Sequence, residues 1–204
     1  MKKLTSTWYN MALVLTVISI IAAGALAYVN ALTQGPIAEI NQKNLQAGIK
    51  KVLCAPEAKV TATDSLLDAK GQLAAIRYTT DSGVAVQATD HNAFGGDLTV
   101  LVGFADDGSI KGYTILQSAE TPGLGAKAAE WFQQGQNGSI IGMNPSKNNM
   151  TVSKDGGDVD AITASTITSR AFLRAVCQAY QQFSGQTCCD ALTGASAQHT
   201  HNKQ

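Results

Sequence analysis

Charge, aromatic residues and histidine are all scarce in this sequence, and their scarcity argues against several classes of protein. The formal net charge is zero, aromatic residues make up 6% of the chain, and there are three histidines. Because the chain has no basic patch and no Lys/Arg run interleaved with aromatic residues, nothing indicates nucleic-acid binding. An internal repeat and a heptad pattern are also lacking, which argues against a solenoid and a coiled coil.

The cysteines also lack the spacing of a metal site. None of the four belongs to a CxxC pair, so zinc or iron–sulfur binding has little support: Cys54, Cys177, Cys188 and Cys189. In an oxidising compartment, Cys188 or Cys189 can pair with Cys177 or Cys54. The sequence leaves this connectivity open.

The chain offers no obvious catalytic residues. No nucleophile–base pair, metal-ligand cluster or phosphate-binding glycine loop is present, so we predict no metal site and no independent catalytic site. His91 is interpreted as a solvated loop residue between strands. The other two histidines, His199 and His201, are assigned to a polar C-terminal tail.

An uncharged apolar run extends from Met11 to about Leu32. About 20 apolar residues can cross a bilayer as a helix, so the run predicts one N-terminal transmembrane helix. Lys2 and Lys3 precede it and predict a cytoplasmic N-terminus, with the rest of the chain on the periplasmic or outer face of the inner (cytoplasmic) membrane. A cleaved signal peptide ending near Ala25-Leu26-Ala27 is the alternative, and the length of the run favours a retained anchor.

The rest of the chain predicts an α+β domain in which helices flank an antiparallel sheet. Gly35-Pro36 is expected to break or kink the first helix, and an apolar stripe predicts a helix from Ile37 to Leu53. Residues 55–73 are polar and are predicted to be irregular. Four strand-like runs follow, joined by the turn signals Asp81-Ser82-Gly83 and Asp106-Asp107-Gly108: residues 74–79, 84–88, 97–104 and 110–117.

The C-terminal half predicts two helices and one more strand. A short helix is expected over Lys127–Gln134, and a short strand over Met150–Val152. The last helix, Thr166 to Phe183, has one apolar face: Ile167, Ala171, Phe172, Ala175, Val176, Ala179 and Phe183. These elements predict a cytoplasmic N-terminus and anchor at residues 1–34, an extracytoplasmic domain at residues 35–184 and a flexible tail at residues 185–204.

A cluster of hydroxyl side chains lies immediately before the last predicted helix. Residues 160–169 contain five serines and threonines. Such oxygens can cap a helix, because they accept hydrogen bonds from its unpaired N-terminal N–H groups. The same N–H groups and the helix dipole can also bind a phosphate. The local pattern by itself favours capping.

Two segments carry a resemblance to a known family. Residues 160–166, DAITAST, resemble the flavinylation motif of FMN-binding domains: Asp, two variable residues, Ser or Thr, usually Gly, usually Ala, and an acceptor Thr. Glu120–Gly125 resembles that family's second signature, a loop that borders the flavin ring. With one membrane helix before both, the chain resembles the G subunits of Rnf ion-translocating electron-transport complexes. The C subunit of the sodium-pumping NADH:quinone oxidoreductase is similar.

The resemblance implies a covalently bound FMN. A flavin transferase would esterify the FMN phosphate to Thr166, the residue at the acceptor position. Hydroxyl groups near the phosphate would come from Thr163, Ser165, Thr168 and Ser169, and Lys127 would be an electrostatic partner. The residues beside the flavin ring would be Glu120, Thr121, Leu124 and Gly125. Ala164 and Ser165 stand where Gly and Ala are usual.

The resemblance also implies a function. The chain would be an electron-transfer subunit of a membrane complex that couples ferredoxin:NAD electron transfer to Na⁺ or H⁺ translocation. Its partners would be the other subunits, the flavin transferase and membrane lipid. Two alternatives stay open: a stand-alone anchored flavoprotein that reduces an extracytoplasmic acceptor, and a non-catalytic binding module in which the hydroxyl cluster only caps a helix.

Overall fold

The computed structural model describes residues 8–67, 73–186 and 188. The chain divides into two compact units, residues 1–44 and 45–204. Some sequence predictions fall outside the described residues: those on Lys2, Lys3, Cys189, His199, His201 and most of the predicted flexible tail.

Helix α1 spans Trp8–Val52 without interruption. The predicted break at Gly35-Pro36 is therefore wrong, and the alternative, a kink at this point, stays a prediction. An internal proline removes one helical hydrogen bond, and here the bonds on both sides continue the helix. None of the residues in its most apolar 18-residue window is buried, and α1 is long and apolar enough to cross a membrane. Ile37 and Ile40 are exposed as well, so the predicted apolar stripe is buried only near the C-terminal end of α1.

Five antiparallel strands form one sheet in sequential order, which confirms the α+β fold class. They are β1 (Val60–Leu67), β2 (Leu73–Thr80), β3 (Gly83–Ala93), β4 (Gly96–Phe104) and β5 (Ile110–Ser118). Strand β1 lies in the segment predicted to be irregular, so that prediction is wrong. The described side chains of this edge strand are exposed or half-buried, and it therefore has no buried face that a sequence pattern could reveal.

Helix α3 (Thr166–Ser184) packs against β2, β3 and β4. Its Phe172 ring stacks on Phe132 with centroids 4.3 Å apart and meets Tyr113 edge-on at 4.8 Å. The predicted apolar face of α3 is buried or partly buried except at Ile167, which is 51% exposed. Ile167 therefore does not belong to the core.

The C-terminal end of α1 packs against the sheet in a second, smaller core. A side chain on Gly103 would lie 2.4 Å from the carbonyl oxygen of Val52, so only glycine allows this approach. Gly48 is also close to the sheet, because a Cβ there would lie 3.2 Å from Leu101. The last turns of α1 therefore belong to the folded domain.

Several smaller predictions need correction. The helix predicted at Lys127–Gln134 is a 3-10 turn at Gly125–Lys127 followed by α2 (Ala128–Trp131). The predicted strand at Met150–Val152 is a single parallel bridge between Val152 and Val159. His91 is exposed as expected, but it lies within β3 and its Nδ1 is 2.7 Å from Asp97 Oδ1. Of the open cysteine pairings, the structure has Cys177–Cys188.

Candidate functional site

A cavity of about 310 Å³ lies between the loop after β5 and the start of α3. Its volume is at the lower end of the range for small-molecule sites, about 300–1,000 Å³. The two signature segments, far apart in the chain, both contribute to its wall. Its lining residues are Phe94, Glu120, Thr121, Leu124, Gly125, Ala164, Ser165, Thr166, Ile167 and Thr168.

Seven of the nine site residues predicted from the sequence line this cavity. Thr163 is exposed and Ser169 is buried, and neither is part of the lining. Lys127 is exposed outside it as well. Sequence reasoning missed Ala164 and Ile167 as lining residues, although both lie within the hydroxyl cluster. It also missed Phe94, for which no local signal existed.

The hydroxyl group at the N-cap position of α3 does not cap the helix. Ser165 is the N-cap residue, but its side chain makes no capping hydrogen bond. Instead its hydroxyl donates to Thr168 Oγ1 at 2.9 Å. The capping interpretation is therefore wrong for this residue. The first N–H groups of α3 lack acceptors within the helix, and together with the helix dipole they favour an anion.

Thr166 presents the most available hydroxyl group at this helix start. Its side chain is half-buried and lines the cavity, and its hydroxyl has no hydrogen-bond partner among the described residues. Ser165, beside it, is only 9% exposed and is already bonded to Thr168. The structure thus distinguishes two adjacent hydroxyl groups that the sequence did not separate.

The segment before α3 is held by its own hydrogen bonds. Ser169 Oγ accepts from the Ile162 N–H and donates to the Ser165 carbonyl, both at 3.0 Å. Ala164 has a φ of 62°, in the left-handed region that favours glycine, which accounts for the glycine usual at this position. The Asp160 carbonyl accepts from Trp131 Nε1 at 2.9 Å. These contacts fix the backbone that leads to Thr166.

Glu120 lies in the cavity wall with 9% of its surface exposed. Its Oε1 accepts a hydrogen bond from the Phe94 N–H at 3.0 Å. Gly125 leaves room for this carboxylate, because a Cβ at that position would lie 2.4 Å from Glu120 Oε2 and 2.9 Å from Thr168 Oγ1. The lining contains this one carboxylate and no Lys, Arg or His. The helix start is therefore the lining's source of positive potential.

Apolar side chains surround the rest of the cavity. In the described part of residues 45–204, four large apolar side chains are exposed: Val60, Phe94, Leu124 and Ile167. Three of these, all except Val60, line the cavity. Exposed apolar residues that cluster in one place mark ligand or partner sites more often than scattered ones do.

Two arginines of α3 form ion pairs beside the site. Arg170 binds both carboxylate oxygens of Asp155 at 2.8 and 2.7 Å. The hydrogen bond from Arg170 holds the pKa of Asp155 below its ordinary value. Arg174 binds both oxygens of the buried Asp90 on β3 at 2.8 and 3.0 Å. Both ion pairs attach α3 to neighbouring segments. The guanidinium groups of these two arginines are therefore already paired with carboxylates.

Comparison with known proteins identifies the family. Residues 94–181 match the FMN-binding domain family. The chain is 32% identical over 196 residues to the G subunit of the Na(+)-translocating ferredoxin:NAD(+) oxidoreductase complex of Acetobacterium woodii, covering 86% of this chain and 93% of that protein. It is 30% identical over 183 residues to the G subunit of the ion-translocating oxidoreductase complex of Vibrio cholerae, with 83% and 87% covered. The chain therefore belongs to the family of G subunits of Rnf-type ion-translocating oxidoreductase complexes.

Proposed function

We propose that this chain is an electron-transfer subunit of an Rnf-type complex and carries FMN through a phosphodiester to Thr166. One observation carries the proposal: the Thr166 hydroxyl, unpaired among the described residues, lies at the start of α3, where Ser165 makes no capping bond, in a cavity shared by both signature segments. The relatives support the assembly, since one is named as a subunit of a Na⁺-translocating ferredoxin:NAD⁺ oxidoreductase complex. Other subunits would be this chain's partners in coupling electron transfer to Na⁺ or H⁺ translocation.

The charges around the cavity fit an esterified phosphate. After a flavin transferase joins the FMN phosphate to the Thr166 oxygen, the diester keeps one negative charge. The start of α3 would stabilise that charge by about 0.5–1 kcal/mol, with hydrogen bonds from the free N–H groups added. A free monoester carries up to two charges, and the cavity lining holds the Glu120 carboxylate and no cation. Because the lining has no cation, the single charge of the diester fits it better than the two charges of a free monoester. This difference favours a covalently attached flavin.

The apolar side of the cavity fits a flavin ring. Leu124 and Ile167 are 43% and 51% exposed at its wall, where a bound ring would cover them. Gly125 keeps the wall beside Glu120 free of a side chain. Bound FMN would supply the electron-transfer chemistry, while these residues orient the ring and limit its contact with water. The residues present therefore fit both ends of the cofactor.

The disulfide supports an extracytoplasmic location for the domain. Cys177 and Cys188 are bonded and are only 5% and 7% exposed. Structural disulfides persist mainly in oxidising compartments. A cytoplasmic N-terminus, predicted from Lys2 and Lys3, agrees with this orientation. Helix α1 would anchor the chain in the lipid of the inner membrane, and residues 35–184 would form the periplasmic or outer domain.

Substitution at the acceptor tests the proposal directly. The full chain, produced with a flavin transferase, should keep flavin fluorescence after denaturing electrophoresis, and mass spectrometry should locate FMN on the Thr166 peptide. Thr166→Ala should abolish the fluorescent band. Ser165→Ala is the matched control and should keep it, because the neighbouring hydroxyl is already bonded to Thr168. A fluorescent Thr166→Ala band would contradict the assignment.

Purification tests whether the chain works within a complex. From native membranes, the tagged chain should co-purify with integral redox subunits. A chain that purifies alone, carries flavin and reduces an added acceptor would instead support the stand-alone flavoprotein. A chain without covalent flavin would support the non-catalytic binding module.

A further inference from the structure

Phe94 combines an exposed side chain with a firmly held backbone. It forms a two-residue turn with Gly95 between β3 and β4. The Phe94 residue is 69% exposed and lines the cavity. An aromatic ring so exposed gains little from folding, and its place beside the exposed Leu124 and Ile167 at the cavity wall is typical of a ligand or partner site.

Several contacts hold this turn in place. The carboxylate of Glu120 accepts a hydrogen bond from the Phe94 N–H, as described above. Gly95 lies so close to the loop after β5 that a Cβ would be 2.1 Å from the Ala119 carbonyl oxygen. On the other side, Arg174 binds Asp90, whose Oδ1 accepts from the Asn92 N–H at 2.8 Å.

These contacts attach the turn to two elements that build the cavity. The loop containing Glu120 forms one part of the wall, and α3, which carries Arg174, begins at Thr166 in another part. The Phe94 backbone is therefore fixed relative to the hydroxyl that would carry FMN. Because the backbone of Phe94 is already ordered, only its side-chain torsions lose freedom when a ligand stacks on the ring.

We infer that the Phe94 ring is a wall of the flavin site and stacks against the isoalloxazine ring of the FMN attached to Thr166. The inference rests on the proposed function and adds a binding residue that lies outside both signature segments. Offset-stacked and edge-to-face aromatic arrangements are favourable beyond the area that they bury. Glu120 acts here as a positioning residue, because it binds the Phe94 backbone.

A tryptophan at position 94 makes the contact measurable. An excited flavin accepts an electron from an indole in contact with it, which quenches the flavin's fluorescence. The measurement uses the full, flavin-carrying chain and divides its flavin fluorescence in the folded state by its flavin fluorescence after denaturation. This ratio corrects for the amount of flavin attached. Phe94→Trp should lower this ratio severalfold relative to the wild type, because a stacked arrangement places the indole against the flavin ring.

Val60→Trp is the matched control. Among the exposed large apolar residues described in residues 45–204, Val60 is the one that does not line the cavity, with 42% exposed. It pairs with Thr80 and belongs to the opposite end of the sheet from the Phe94 turn. Its fluorescence ratio should equal that of the wild type. Equal ratios for Phe94→Trp and Val60→Trp, with flavin attached in both, would overturn the inference and leave the proposed function intact.

Phe94→Ala provides a second measurement if the tryptophan variant does not accept flavin. Removing the ring should increase quenching of the flavin fluorescence by iodide, because one side of the isoalloxazine becomes open to solvent. Val60→Ala should leave iodide quenching unchanged. Unchanged quenching in Phe94→Ala would also overturn the inference. A wild-type chain without covalent flavin would overturn the proposed function and this inference with it.

Discussion

Helices α1 and α3 are both rich in apolar residues, yet they are buried very differently. Three residues of α1 are buried, and all three lie at its C-terminal end: Gly48, Ile49 and Val52. By contrast, α3 buries ten of its 19 residues against the sheet and neighbouring loops. The difference follows from where the apolar residues lie on each helix. They surround the first part of α1 on all sides, whereas α3 has polar residues opposite its apolar face.

The comparison shows that the same need to bury apolar residues suits α1 to a membrane and α3 to the protein core. Apolar residues on every side of a helix require an apolar surrounding, and a bilayer supplies one for α1. An apolar face on one side needs a protein partner, which for α3 is the sheet. Because α3 is fixed in this way, its N-terminal end has a defined position relative to the Glu120 loop. Substitutions in the two helices should therefore affect different properties of the protein.

The largest expected effect comes from the core face of α3. Phe172→Ala removes a fully buried ring that stacks on Phe132. It should lower the domain's free energy of unfolding by about 3–5 kcal/mol, measured by denaturant unfolding of the detergent-solubilised chain. Leu15→Ala on α1 is the control, because Leu15 is 68% exposed and lies within the apolar run. A similar loss of domain stability for Leu15→Ala would contradict the comparison.

A charge in α1 should affect membrane integration and leave the folded domain unchanged. Ile18 lies within the apolar run and is 59% exposed. Ile18→Arg should cost about 2.5–3.5 kcal/mol of insertion free energy, because a guanidinium near the bilayer centre loses hydration. The measurement is the fraction of chain that resists carbonate extraction from membranes. Gln178→Arg, at an exposed position of α3, should extract like the wild type. Unimpaired integration of Ile18→Arg would argue against α1 as the anchor.

The smallest expected effects lie just beyond the helix ends. Cys54 follows α1 and Ala164 precedes α3, with φ values of 52° and 62°. Left-handed geometry costs a non-glycine residue about 1–2 kcal/mol of folding free energy. Glycine avoids this cost, but its greater freedom in the unfolded state offsets about 0.5–1 kcal/mol of the gain. Cys54→Gly and Ala164→Gly should therefore each stabilise the domain by about 0.5–1 kcal/mol, which raises Tm by roughly 1–4 °C.

Ala161→Gly is the control for both substitutions. Ala161 does not have a positive φ, so glycine there should lower Tm. Ala164→Gly should also keep its covalent flavin, because it leaves Thr166 and the start of α3 unchanged. A fall in Tm for Ala164→Gly would mean that left-handed geometry at this residue does not limit stability.

The features that the sequence predicted correctly depend on residues close together in the chain. The apolar run of α1, the periodicity of α3 and the turn signals at Asp81-Ser82-Gly83 and Asp106-Asp107-Gly108 each correspond to an observed element. The family signature likewise depends on short motifs. The proposed FMN attachment to Thr166 stays a prediction, and the structure adds that the hydroxyl group is unpaired among the described residues.

The failed predictions have separate physical reasons. Strand β1 has little buried surface, and its pairing with β2 determines its conformation. Capping by a hydroxyl group failed at the N-cap residue because Ser165 donates to the Thr168 hydroxyl, an alternative that the types of residue alone do not reveal. The break expected at Gly35-Pro36 does not occur, because losing one N–H does not outweigh the helical bonds around Pro36.

The sequence by itself determined the long apolar helix, the β2–β3 and β4–β5 hairpins, the C-terminal helix and the hydroxyl cluster at its start. Each of these depends on local periodicity, turn chemistry or composition. Only the tertiary structure decided that Cys177 pairs with Cys188 and that Phe94 joins the Glu120 loop and the start of α3 around one cavity. Those contacts join residues distant in the chain, and packing brings them together without leaving a local pattern in the sequence.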